Sequence, residues 1–242
     1  MGNVLTRSQV GFYRANGFCV VDGVFDNGVL DRARGIVDGL LSSAGRAPAA
    51  PDRVFSELAE ASRLLDAVSQ LIGEDIVLRR SELDVKPPRV GGAVGWHRDF
   101  AAHPHSNTDL VAAVVHLDET TGENACLRVA AGSHRISSSA DMDVRVDEST
   151  VVDCEVRAGG VVFLHPLVAH SSERNLSDLH RRVFVAAYRA TDALPLHHGP
   201  HAARDEPRAK LLRGKPSRTA RGEAGVWPLP VAHAEKEPSP AG

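Results

Sequence analysis

Two spacings of apolar residues divide the chain near residue 75. Before it, Leu30, Ala33, Ile36, Val37, Leu40 and Leu41 recur at the i, i+3, i+4 interval that gives a helix one apolar face. Asp26 stands where a carboxylate caps the first turn, and Gly45 where such a helix ends. Phe55, Leu58, Leu64, Leu65, Val68, Leu71 and Ile72 predict one further helix, stopped by Gly73 and reached through a Pro/Ala loop at 47–51. Thr6 and Gln9 have capping-box spacing ahead of Val10 and Tyr13, which predicts a short first helix. Phe18 to Val21, after Gly17, reads as a short strand.

After Asp75, short β-branched runs alternate with turn residues: 76–85, 110–117, 126–130, 151–156, 161–165 and 183–188. Many short strands with no long helix between them predict an antiparallel sandwich or barrel rather than a parallel α/β sheet. The fold class is therefore mainly β with N-terminal helices. One domain is predicted over 1–204, with a helical part at 1–74 and a β core at 75–190. The remainder, 205–242, is an Arg-, Pro- and Gly-rich extension. Trp227 and Leu229 are apolar enough to dock it on the body, and Glu235 to Gly242 reads as disordered.

Composition removes several classes of function. The net charge is −3, and basic residues are scattered, which gives no phosphate-binding surface and argues against nucleic acid. The 24 Arg against 4 Lys reflect high-GC coding of the kind common in actinobacteria. Cys19, Cys126 and Cys154 are far apart with no C-x-x-C pair, so neither a disulfide framework nor a thiolate zinc site is expected. A reducing cytoplasm suits them. No apolar run reaches the ~20 residues of a membrane span, and no basic patch followed by an apolar stretch marks a secretory signal. Asn175-Leu176-Ser177 matches the glycosylation pattern, which carries no meaning in a cytoplasmic protein. Nothing bears on oligomeric state.

The chemistry concentrates in Trp96-His97-Arg98-Asp99-Phe100. In extended chain, His97 and Asp99 project from one face while Arg98 points away. An imidazole and a carboxylate offered together fill two adjacent metal positions. One more histidine completes a two-His, one-carboxylate triad that leaves positions open for a bidentate cosubstrate and oxygen. His165 and His170 both lie near the end of the run Gly159 to His170. Ser172 and Arg181, which follow, favour His170. An Arg facing into a sandwich is costly unless an anion meets it, and a metal-chelating dicarboxylate supplies one.

Taken together, these segments resemble the phytanoyl-CoA dioxygenase family of iron(II)/2-oxoglutarate-dependent oxygenases. The resemblance runs from Tyr13-Arg14-Ala15-Asn16-Gly17-Phe18 through Ser81-Glu82-Leu83-Asp84-Val85-Lys86-Pro87-Pro88 and Trp96-His97-Arg98-Asp99. It continues through Glu123 to Val129, Ala131-Gly132-Ser133-His134-Arg135 and Phe163 to His170, and ends at Arg181. It implies a double-stranded β-helix (a jelly-roll, cupin-like) with iron(II) on His97, Asp99 and His170. It further implies 2-oxoglutarate on Arg181 with help from Ser172, O2 as co-reactant, and a structural His165. The chain departs from the family pattern at Arg98 (usually Gln), Ala125 (usually Gly) and Ala131 (usually Pro).

By the same resemblance the enzyme is an oxidoreductase that removes hydrogen from a small organic molecule, giving hydroxylation, epimerisation or ring closure. Tailoring of a secondary metabolite in antibiotic biosynthesis is preferred to acyl-CoA hydroxylation, because no basic cluster awaits the phosphates of coenzyme A. His103 and His105, just after the metal motif, are candidates to line the substrate mouth. The rival readings are a zinc hydrolase on the same three ligands, which leaves Arg181 without a partner, and a binding module without catalysis.

Overall fold

The first two predicted helices form where an apolar stripe meets a side-chain cap. The structure, a computed structural model, describes residues 4–44, 53–135, 144–196, 209–222 and 225–228. Gly45, the 47–51 loop, Leu229 and the 235–242 segment lie outside these residues, as does the side chain of Trp227. Helix α1 (Arg7–Asn16) begins on the Thr6/Gln9 capping box, with both reciprocal bonds made. Helix α2 (Asn27–Ala44) is capped by Asp26, whose carboxylate accepts from the Val29 amide at 3.2 Å. Its Leu30, Ala33 and Val37 are buried.

The single helix expected over 55–72 is two: α3 (Arg53–Ala59) and α4 (Ser62–Ile72). The break has a tertiary cause. Tyr188, inside the sheet, donates its hydroxyl to the Ala59 carbonyl at 2.8 Å, satisfying an end that the next helical turn would otherwise satisfy. Gly73 ends α4 at φ 97°, as its position suggests.

Two antiparallel sheets follow. The larger contains β1 (Phe18–Val21), β2 (Ile76–Lys86), β4 (Leu110–His116), β7 (Val161–Leu164), β9 (Arg181–Ala190) and β10 (Lys210–Arg213), in the order β1-β7-β4-β9-β2-β10. The smaller contains β3 (Val94–His97), β5 (Leu127–Ala130), β6 (Val151–Cys154) and β8 (His170–Ser172), in the order β3-β8-β5-β6. A four-residue helix, α5 (Asp99–Ala102), follows β3. Strands β11 (Thr219–Gly222) and β12 (Gly225–Pro228) pair with each other. The fold is the jelly-roll that the resemblance implies. Strands β3, β8, β10, β11 and β12 fall outside the runs read from the sequence. No helix among the described residues is long and apolar enough to cross a membrane.

Alternation along the strands sends each to two different neighbours. Val111, Ala113 and Val115 of β4, with Phe184, Ala186 and Tyr188 of β9, face the helices in one apolar cluster. Ala112 and Val114, with Val183, face the smaller sheet and meet its Leu127 and Val129. Ala112, Val114, Leu127 and Val183 also line a cavity between the two sheets.

Candidate metal centre and its cavity

Strands β3 and β8 pair antiparallel with His97 directly opposite His170, so the ladder brings the two imidazoles side by side, ring centres 4.2 Å apart. Asp99 follows one extended residue, Arg98, and opens α5 instead of continuing a strand. The expected i, i+2 projection survives because Arg98 keeps extended dihedrals. The loop after β7 fixes this turn: Phe100 N–H donates to the Pro166 carbonyl at 3.0 Å, and Arg98 Nε to the Leu167 carbonyl at 3.1 Å. Arg98 thus points away from the ligands, into protein.

The imidazole Nε2 atoms of His97 and His170 both lie 3.9 Å from Asp99 Oδ1, and one ligand atom from each residue fits within 4.8 Å of the others. His97 Nδ1 lies 2.9 Å from the Gly95 carbonyl and His170 Nδ1 3.1 Å from that of Val168. A ring that donates Nδ1–H to a carbonyl leaves the Nε2 lone pair for a metal. Burial holds His170 below the usual imidazole range, against the pull of Asp99. Burial alone would raise the Asp99 carboxyl, but His170, Arg80, His97 and Arg79 outweigh it and hold it below the usual carboxylate range. Two imidazole Nε2 atoms and a carboxylate oxygen gathered at one point make a donor set that a divalent cation fits.

His165 sits elsewhere. Its Nδ1 accepts from the Leu167 amide at 3.2 Å, and its ring lies 4.9 Å from that of His134. It braces the loop that holds Asp99. His105 is buried against the His103 carbonyl, and neither His103 nor His105 is among the residues lining the triad's cavity. His103 closes α5 through its amide, and burial, helped by Arg80 and Arg79, pushes its imidazole down to about 4.

The cavity, about 160 Å³, is lined by the triad, by Ser171 and Ser172 of β8, by Arg181, and by apolar residues of β4, β5, β7 and β9. Arg181 is 1% exposed. One of its Nη atoms donates to the Ala125 carbonyl at 3.3 Å, the other pairs with the Asp84 carboxylate, and Nε has no partner. The anion that balances Arg181 in this structure is therefore internal. The sequence argument required an anion for the buried Arg and looked to a dicarboxylate; Asp84 is a second source that it did not consider.

Asp84 belongs to a row that sequence reasoning passed over. Arg80, Glu82 and Asp84 alternate along β2 and all line the cavity, Arg80 paired with Glu82 at 2.9 Å. Their alternation with Leu83 and Val85 was the available signal. An alternating charged face usually faces water, and here it faces the cavity. Lys86, next in the row, is not a solvated strand-end lysine: its Nζ donates to the carbonyls of Gly92, Ser172 and Glu173. Asn175, in the glycosylation pattern, is fully buried, its amide donating to Lys86, Pro87 and Leu179.

A family model for phytanoyl-CoA dioxygenase matches residues 38–183, which include the whole triad and Arg181. The chain belongs to the phytanoyl-CoA dioxygenase family. It is similar to a probable alpha-ketoglutarate-dependent hypophosphite dioxygenase of Stutzerimonas stutzeri, 30% identical over 158 residues, or 59% of this chain and 55% of that protein. The chain spans about half to two thirds of the length of the curated relatives it matches. In fold it resembles the non-heme alpha-ketoglutarate-dependent carbocyclase SnoK from nogalamycin biosynthesis (TM-score 0.69, 22% identity, covering 83% of this chain and 90% of that one). It also resembles the epimerase SnoN in complex with Fe3+, alpha-ketoglutarate and nogalamycin RO (TM-score 0.70, 21% identity, covering 93% and 95%). Ala125 stands in the left-handed region at φ 72°, a conformation that glycine adopts freely and alanine does not.

Proposed function

We propose that this chain is an iron(II)- and 2-oxoglutarate-dependent oxygenase acting on a small organic molecule. One observation carries the reading: a two-His, one-carboxylate cluster opens on the same cavity as a fully buried arginine. His97, Asp99 and His170 would hold the iron. Arg181, with the Ser172 hydroxyl, would receive the far carboxylate of 2-oxoglutarate, since a guanidinium matches a carboxylate in shape and charge. Bound iron and cosubstrate supply the oxidising chemistry, using O2 to remove a hydrogen atom from the substrate. The chain's own residues orient and enclose. The Gly95 and Val168 carbonyls fix both imidazoles, while Ala112, Val114, Leu164, Val183 and Val185 give the cavity a water-poor wall.

In the finer reading, the enzyme tailors a secondary metabolite in the cytoplasm, by hydroxylation, epimerisation or ring closure. Its likeness in fold to a carbocyclase of nogalamycin biosynthesis and to the epimerase SnoN supports it. Three buried free thiols suit a reducing compartment. His103, whose amide donates to the Asp99 carbonyl, and His105, whose ring meets the His103 carbonyl, lie outside the lining of the triad's cavity and are candidates for its substrate side.

The test is anaerobic addition of iron(II) and 2-oxoglutarate. The expected result is a weak visible charge-transfer band and, on admitting air, slow succinate formation, both lost in Asp99→Ala. A wild-type protein with neither band nor succinate would falsify the reading and favour a zinc hydrolase on the same ligands.

A further inference from the structure

Arg181 and Asp84 are diagonal neighbours on the inner face of the larger sheet. Arg181 of β9 is opposite Lys86, and Asp84 of β2 is two residues along, opposite Val183. Such diagonals lie within reach of long side chains. The two partners are buried very unequally: the Arg181 side chain is 1% exposed and that of Asp84 45%. The neighbouring cations are already committed, Lys86 to three backbone carbonyls and Arg80 to Glu82. The guanidinium that would receive a dicarboxylate is thus neutralised by a side chain that can reach water.

We propose that Asp84 is a built-in competitor for the cosubstrate's far carboxylate. It holds Arg181 while 2-oxoglutarate is absent and rotates towards solvent when the dicarboxylate enters. This rests on the oxygenase reading above and adds a residue that sets cosubstrate affinity. The physical case has three parts. A buried guanidinium left alone is costly, so an internal anion stabilises the empty site. Two carboxylates cannot share one guanidinium at contact distance without repulsion unless one withdraws. Only Asp84 has an open route out, because Arg181 is enclosed between the sheets and fixed by the Ala125 carbonyl. The alternative, that Asp84 merely positions Arg181 for the cosubstrate, predicts the opposite sign.

Asp84→Asn keeps the shape and removes the charge, and Asp84→Ser serves if that variant does not fold. Binding of 2-oxoglutarate is measured by calorimetry on the Mn(II)-loaded protein and by band titration on the anaerobic iron(II) protein. Pyruvate is the control ligand: it offers the same keto-acid end and no far carboxylate. The expected result is 2-oxoglutarate affinity raised by about tenfold or more, with pyruvate affinity unchanged. Unchanged or weakened 2-oxoglutarate binding in the variant, with normal binding in the parent, overturns the competitor role. So does an equal gain for pyruvate, which would mean a general change at the metal. If the parent binds no 2-oxoglutarate by either method, the oxygenase reading falls, and this inference with it.

Discussion

The larger sheet has two faces built from the same strands, and they differ in kind. On the helix side, Val111, Ala113, Val115, Phe163, Phe184, Ala186 and Tyr188 form a closed apolar layer. The hydroxyl that the sheet itself sends to this side, that of Tyr188, is satisfied by the Ala59 carbonyl, while that of Tyr13, from α1 in the same cluster, has no partner. On the cavity side the same strands present Arg80, Glu82, Asp84 and Arg181 among small apolar residues. Here polar atoms are left over: Arg80 Nε, Arg181 Nε and, from the facing sheet, Ser171 Oγ are buried without hydrogen bonds. A fold rarely tolerates such atoms where nothing else is to bind. One face is built for stability and the other retains unspent hydrogen-bonding capacity where a ligand would use it.

Substitutions can test whether the faces are separable. The largest expected effect is on the helix side. Phe184→Ala, which removes a ring 5.3 Å from that of Phe55, should cost about 3–5 kcal/mol of stability, read by denaturant unfolding. Below its lowered transition the variant should keep the parent's affinity for 2-oxoglutarate, and a parallel loss of affinity would show that the faces are coupled. Next comes Arg181→Met on the cavity side. Losing charge-assisted bonds to a carboxylate should weaken 2-oxoglutarate binding roughly 10- to 100-fold. Stability should change little, since an apolar side chain of similar length replaces the buried guanidinium and the half-exposed Asp84 left behind can turn to water; calorimetry and melting curves read the two effects. Unchanged affinity would remove Arg181 from the site. The smallest effect is at the seam. Ala125→Gly relieves a left-handed alanine and should raise stability by about 1 kcal/mol, seen as a small rise in Tm. A fall would mean that the alanine methyl contributes packing worth more than its strain.

Much of this was legible from local pattern. The Thr6/Gln9 cap, the Asp26 cap, the Gly73 stop and the long strands all stand where their residues place them, because each signal is carried by neighbours in sequence. The losses are equally specific. Strand β8 is three residues long and has no periodicity of its own; it exists because β3 and β5 pair on either side. The break between α3 and α4 depends on Tyr188, which is 129 residues from the carbonyl it satisfies. The candidate ligands His97, Asp99 and His170 were readable, two from spacing and one from the company of Ser172 and Arg181. Asp84 was not, because a charged residue alternating with apolar ones reads as solvent-facing until the layer on its other side is known.

Local chemistry by itself determined the periodicities, the caps, the class of fold and a donor set suited to a divalent metal, since each depends on residue type and short-range geometry. Tertiary structure alone decided which face of β2 turns inward. It also set His97 against His170 across a ladder and gave Arg181 an internal anion. Those outcomes depend on the register between strands up to about a hundred residues apart, such as the 97 residues between Asp84 and Arg181, and register is fixed only when both sheets and the helices close on a common core.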